Sequence, residues 1–276
     1  MNVSCAAPPE YVRRRSAISG QAAGPRRPPT DIEYTEIEHR TWEHVVHALV
    51  PVWARHGALV ANEGLDRLGL DRTRIPQLRD ITGRLSAWSG FSFEAVPGLV
   101  GKEQFFAALA ERRFLSTQYV RWEGSPLYTP EPDVIHEVVG HAHLLTNGDL
   151  AELHRLAGDA MKRVTDPASR QFVADVFWFS GEFGVVREAG SWKAYGAGLL
   201  SSFGELGWFA TGATVTPLDI AEMGTVPYDI STYQPRLFGA SSIDEVLDVV
   251  GGFFASCTDA SIARLRRGAE RRKVTT

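Results

Sequence analysis

Glu182 stands in the segment DVFWFSGEFGVVRE, residues 175 to 188, among Phe177, Trp178, Phe179, Phe183, Val185 and Val186. A carboxylate in so apolar a run restricts what the chain can fold into. It must face solvent along one side of a helix, meet a paired group, or bind a cation, because an uncompensated buried charge is very costly. The segment by itself does not choose among these.

A second segment narrows the choice. In YTPEPDVIHEVVGHAHLLTN, residues 128 to 147, His136 and His141 stand five apart around Glu137 and Gly140. A zinc peptidase helix has HExxH, with both imidazoles on one face. Here the second histidine comes one residue late, and an ideal α-helix swings it roughly 140° from the first. The pair can still share a metal if a third ligand completes the geometry and Gly140 permits close approach. Two neutral imidazoles and one carboxylate match the facial triad that leaves positions open on ferrous iron. No cysteine belongs to the set, which argues against a closed structural zinc site.

At 276 residues, 44% hydrophobic and 22% charged, the chain is long enough to bury one substantial core. EHRTWEHVVHALVPVWARHG carries Trp42, Val45, Val46, Leu49 and Trp53 at spacings of three and four, which predicts an amphipathic helix. His44, His47 and His56 are then ordinary helix residues, with no ligand partner at suitable spacing. IPQLRDITGRLSAWSG, KEQFFAALAERRF and DLAELHRLAGDAMKRV predict further helices, and TQYVRW is the best strand candidate. The expected fold is mainly α with a small amount of β. The expected organisation is a disordered N-terminal tail over 1–30, a catalytic domain over 31–260, and a basic C-terminal tail over 261–276, read as a solvated terminal helix, interrupted by Gly268, that frays.

The net charge of -4 disfavours nucleic acid or an anionic membrane as partner, leaving a small molecule. No run approaches the ~18 apolar residues of a spanning helix. Cys5 and Cys257 are too few for a disulfide framework and read as free thiols. A soluble, cytoplasmic protein is expected.

The strings TPEPDVIHEVVGH, WFSGEFG, KAYGAGLLSSFGEL and STYQP, with IPQL at 75–78 and VPGL at 96–99, occur in one order. From about Thr41 to the Phe238 region the chain resembles the catalytic domain of the pterin-dependent aromatic amino acid hydroxylases, which act on phenylalanine, tyrosine or tryptophan. The resemblance implies that domain's architecture and a non-haem iron monooxygenase. His136, His141 and Glu182 would bind Fe(2+). Tetrahydrobiopterin or a related tetrahydropterin would stack on Phe105 against Gly98, Leu99 and Val100, with Glu137 reaching it through water. O2 is the implied co-substrate, divided between pterin and ring.

The same resemblance implies that Arg121 holds the carboxylate of an aromatic amino acid in a bidentate pair. Thr129 and Ser201 would add hydroxyl contacts, while Tyr128, Trp178, Phe183 and Gly198 would shape the pocket. Glu137, Trp178 and Ser201 are the implied catalytic side chains. Taken singly, these residues have plainer readings. Phe105 and Trp178 could be core, Arg121 could pair with Glu123 on a surface, and Gly196 and Gly198 could serve a tight turn.

Trp178 stands where tryptophan hydroxylases carry a smaller Phe, and Ile230 where tyrosine hydroxylases have an Asp. Both lean towards L-phenylalanine, hydroxylated at the para position first and at the meta position as the alternative. His143 replaces a usual proline, and Leu115 a polar residue near the pterin. The resemblance does not extend to a regulatory domain or a coiled-coil tail, so a monomer is expected. The alternatives are a tryptophan hydroxylase of the same family, a zinc-dependent hydrolase with Glu137 as base on metal-bound water, and a non-catalytic binding module.

Overall fold

The computed structural model describes residues 7–22 and 29–274. The helices are α1 (Pro9–Ser19), α2 (Glu36–His56), α3 (Leu59–Leu68), α4 (Leu78–Trp88), α5 (Lys102–Leu109), α6 (Gly148–Arg163), α7 (Pro167–Phe177), α8 (Ala197–Ser201), α9 (Phe203–Gly212), α10 (Ile220–Met223), α11 (Ile243–Val246), α12 (Gly252–Ser256) and α13 (Asp259–Val274). The strands are β1 (Ser92–Ala95), β2 (Arg113–Ser116), β3 (Val185–Glu188), β4 (Ser191–Ala194), β5 (Thr214–Pro217) and β6 (Arg236–Ala240). Three π-helical segments, His136–Ala142, Trp178–Glu182 and Leu247–Gly251, interrupt the α pattern. The fold is mainly helical with little sheet, as the periodicities predicted.

Helix α2 forms where its apolar stripe required it. Thr35 caps it by accepting from the Glu38 N–H at 3.3 Å, and Glu38 accepts from the Thr35 N–H at 2.7 Å. Trp42, Val45, Val46, Leu49 and Trp53 are all buried, each contributing roughly 1.5–3 kcal/mol of burial. Trp53 Nε1 donates to Leu200 O at 2.7 Å, tying this long helix to the short α8.

The sheets are small. β1 and β2 pair in parallel around the α5 crossover. The other sheet has the order β4-β3-β6-β5, with an antiparallel β3–β4 hairpin and parallel pairing of β6 to both β3 and β5. This hairpin follows directly on the Trp178–Glu182 turn, so the sheet fixes where that turn ends.

Three expectations are corrected. The disordered tail over 1–30 is helical over Pro9–Ser19, with Pro9 at the first turn, where its missing N–H costs nothing. Ile18 buries against the core, Arg14 pairs with Glu38 at 2.9 Å, and Tyr11 donates to Val120 O at 3.1 Å. Residues 1–6, including Cys5, and 23–28 lie outside the described residues. The basic C-terminal segment is helical as expected, but as the continuous helix α13, which runs through Gly268 and packs on α7 and α10, and not as a solvated, interrupted one. Ile262 and Ala269, seven residues apart on one face, are both buried. TQYVRW is not a strand: β2 ends at Ser116, and the next residues bond to a loop, with Tyr119 O accepting from Val134 and the Arg121 N–H donating to Asp133 Oδ2. Cys257 is a free, buried thiol. Among the described residues no helix is long and apolar enough to cross a membrane.

Candidate metal centre and substrate cavity

The segment His136–Ala142 winds as a π-helix, whose hydrogen bonds join residues five apart. His136 and His141 therefore share a face, which corrects the 140° swing expected of an α-helix. Their Nε2 atoms lie 3.1 Å apart and their rings meet edge to face at 4.9 Å. The second π-turn, Trp178–Glu182, continues α7 and delivers Glu182 opposite them. Glu182 Oε1 is 3.1 Å from His141 Nε2 and Oε2 is 3.8 Å from His136 Nε2. The three ligand atoms lie within 4.8 Å of one another.

Local sequence explains the convergence. Asp133 Oδ1 accepts the His136 N–H at 3.1 Å and so caps the turn. A Cβ on Gly140 would come 2.8 Å from Ala197 O, and one on Gly196 would come 2.4 Å from Glu182 O. Only glycine at both positions lets α8 lie against the two π-turns. That contact puts the Ser201 hydroxyl 2.8 Å from His136 Nδ1.

The hydrogen bonds assign the tautomer. Ser201 Oγ donates to Ala197 O at 2.9 Å, so it accepts from His136 Nδ1–H, and His136 Nε2 is a bare lone pair. Burial holds His136 down at about 4, against the pull of Glu182. Burial also works against the Glu182 charge, but His141, by charge and hydrogen bond, and His136 bring its carboxyl to about 2. A proton on His141 Nε2 can serve only one of its two neighbours, whereas a cation amid the three atoms serves all of them. The donor set thus fits a divalent metal of the iron type, and among the described residues no further His, Cys, Asp or Glu joins this cluster. Phe114 packs against the His141 ring at 4.4 Å, tilted by 38°. His143, fully buried, stands outside this ligand cluster.

The three ligands open into a cavity of about 470 Å³. The residues that the resemblance implied for pterin and substrate line it, Gly98, Leu99, Val100, Phe105, Arg121, Tyr128, Thr129, Glu137, Trp178, Phe183, Gly198 and Ser201, with the ligands themselves. Leu115 and Ile230 join them. Arg121 is 4% exposed and pairs with Asp133, not with Glu123 on a surface. Its Nε reaches Asp133 Oδ2 at 2.9 Å and its Nη2 reaches Oδ1 at 2.8 Å. Asp133, held charged below the usual carboxylate range by Arg121 despite its burial, fixes the guanidinium, while Nη1 makes only a long contact to Pro126 O at 3.4 Å.

Trp178 stacks on Tyr228 at 4.6 Å and 11°, and packs against Phe183 at 4.7 Å. Phe105 sits edge-on to Phe114 at 5.6 Å. Thr129 spends its hydroxyl proton on Glu131 O at 2.7 Å, which leaves it an acceptor towards the cavity. Burial pushes the Glu137 carboxyl well above its ordinary range, opposed by Thr117, whose N–H and hydroxyl lie 3.4 Å away.

Asp133, Thr117 and Glu205 were not found from the sequence. Asp133 had a signal, since an Asp three residues before His136 is at N-cap spacing. Glu205 had a weaker one, an acid inside the apolar stretch SSFGELGWF. Thr117 had none.

A family model described as the biopterin-dependent aromatic amino acid hydroxylase matches residues 5–262. Phenylalanine 3-hydroxylase of Streptomyces coeruleorubidus is 47% identical over 266 residues, covering 95% of this chain and 94% of that protein. Phenylalanine-4-hydroxylase of Mus musculus is 34% identical over 255 residues, and the chain spans only 56% of its length. Among solved structures, Chromobacterium violaceum phenylalanine hydroxylase with bound oxidised Fe(III) superposes with a TM-score of 0.81 at 27% identity, covering 90% of this chain and 91% of that one. The same enzyme with iron(III) and 7,8-dihydrobiopterin gives 0.80 at 26% identity, covering 91% and 92%. A model match over most of the chain, extended by a full-length relative, leaves one assignment: the chain belongs to the biopterin-dependent aromatic amino acid hydroxylase family.

Proposed function

We propose that the protein hydroxylates the ring of L-phenylalanine, using ferrous iron, a tetrahydropterin and O2, and that the hydroxyl enters at position 3. The observation that carries the chemistry is the convergence of His136, His141 and Glu182 at the foot of one cavity that also holds Arg121. Phenylalanine is supported by the names of the relatives, and position 3 by the likeness to the Streptomyces enzyme over nearly its whole length.

Iron and pterin together supply the activation of O2 when bound. The chain's own groups bind, orient and exclude water. His136 and His141 present neutral nitrogens and Glu182 one negative charge, so a divalent ion keeps a net positive charge. Ser201 holds the His136 ring, as an outer partner of a metal ligand does. Phe105 and the loop Gly98 to Val100 would take the flat pterin. Arg121, pre-aimed by Asp133, would clamp the substrate carboxylate, and the Thr129 oxygen would accept from its ammonium. Trp178 and Phe183 would confine the ring in an apolar wall.

The deciding experiment is reconstitution with ferrous iron and tetrahydropterin, followed by chromatography of the product from phenylalanine against ortho-, meta- and para-tyrosine. Meta-tyrosine is the expected product. Para-tyrosine would return the assignment to the position expected first from the sequence, and no product from any aromatic amino acid would overturn the proposal.

A further inference from the structure

The cavity wall formed by Asp229 to Gln234 is neither helix nor strand. Ile230, Ser231, Thr232 and Tyr233 of this strap all line the cavity, with Ile230 74% exposed at its rim. Its hydrogen bonds are nearly all internal. Asp229 Oδ1 accepts from the Ser231 N–H at 2.8 Å, and Gln234 Nε2 donates to Asp229 O at 2.9 Å and Thr232 O at 3.0 Å. Such a loop holds its own shape but not its place.

Two anchors supply the place. Before the strap, Tyr228 stacks on Trp178 and donates to Asp175 at 3.2 Å. At its far end the Gln234 N–H donates to Glu205 Oε1 at 2.6 Å, a short bond between two buried residues, 2% and 6% exposed. Glu205 itself lines the cavity from α9. Beside it, Tyr233 packs so closely on Gly204 that a Cβ there would come within 1.9 Å of its hydroxyl. A bond from a backbone N–H to a carboxylate is stronger than one between neutral groups, and a buried N–H left without it has no water to turn to.

We propose that Glu205 is a positioning residue for the hydroxylation: by holding Gln234 it sets how far Ile230 and Tyr233 stand from the amino acid ring, and so the affinity of the site for that substrate. This rests on the amino acid hydroxylase reading above. Burial, opposed by the Gln234 N–H, lifts the Glu205 carboxyl to about 7, the electrostatic cost of placing an acid in this wall. The bond to Gln234 is what the acid does there.

The test compares the iron-loaded wild type with Glu205→Ala and Glu205→Gln, reading KM for phenylalanine, KM for tetrahydropterin, kcat, bound iron, and hydrogen exchange across residues 228–236. Glu205→Ala is expected to raise KM for phenylalanine about tenfold, the size of one lost hydrogen bond to a charged group. Exchange across the strap should quicken, while pterin KM and bound iron stay as in the wild type. Glu205→Gln, which can still accept from Gln234, should restore both KM and slow exchange. A folded Glu205→Ala with unchanged phenylalanine KM or unchanged exchange overturns the proposal, as does a Gln variant as impaired as the Ala variant. If the Ala variant does not fold, Glu205→Asp, too short to reach Gln234, takes its place with the same expected and overturning results. If the wild type turns over no aromatic amino acid, the hydroxylase reading fails, and the exchange data still decide whether Glu205 holds the strap.

Discussion

His136 Nε2 and His141 Nε2 lie 3.1 Å apart although five residues separate them, because the backbone between them closes a π-turn and not an α-turn. Two ring nitrogens this close, with the Glu182 carboxylate 3.1 Å from one of them, make a donor set that a cation completes, so the geometry carries the first prediction. His141→Ala should weaken binding of ferrous iron or cobalt by more than the roughly 10–100-fold cost of losing an outer partner. Metal titration of the purified variant is the check, and retention of wild-type affinity would remove His141 from the ligand set.

Ser201 touches the metal site only through His136. Ser201→Ala leaves His136 Nδ1–H without its acceptor at 2.8 Å. Metal affinity should fall by roughly 10–100-fold with the fold intact, read by the same titration beside a thermal melt.

Arg121 and Asp133 form a buried bidentate pair, 4% and 0% exposed at their side chains. Arg121→Ala strands a charged Asp133 and should destabilise the fold by about 3–5 kcal/mol, measured by denaturant unfolding. The double replacement of Arg121 and Asp133 by Leu and Asn should recover part of that stability but none of the phenylalanine turnover. Recovery of turnover would show that no guanidinium is needed for the substrate carboxylate.

Glu205 makes stability depend on pH in a defined direction. Its folded value of about 7 lies above the ordinary 4.5, so between them the folded state binds the proton more tightly than the unfolded chain. Its contribution is fully present below about 4.5 and is lost as pH rises through about 7. Glu205→Gln lacks this loss. The stability of the variant relative to wild type should therefore rise from pH 5 to pH 7, by at most roughly 1.4 kcal/mol per pH unit. Denaturant midpoints at the two pH values measure it, and a flat or falling difference contradicts the assigned shift.

Much of the fold was legible along the chain. The apolar stripe from Trp42 to Trp53 predicted α2, and every stripe residue is buried. The termini were misjudged because composition reports polarity and not docking. Ile18 in α1, and Ile262 with Ala269 in α13, are buried, which seats helices whose other faces are largely charged. TQYVRW looked like a strand because Tyr and Val favour extended backbone, yet an extended segment becomes a strand only when another strand pairs with it, and here its partner is the Asp133 loop.

The sequence by itself determined which chemistry the chain could carry. Residue types do that: two imidazoles and a carboxylate select a metal, and a lone acid among aromatics announces that something must compensate it. Only the tertiary structure decided that these groups meet. Spacing along a helix depends on which hydrogen bonds the backbone closes, and the choice of π over α at His136–Ala142 comes from packing, from α8 seated on Gly140 and Asp133 capping the turn. Asp133 behind Arg121 and Glu205 behind the strap were set in the same way, by long-range burial that leaves an acid no partner except the one the fold brings to it.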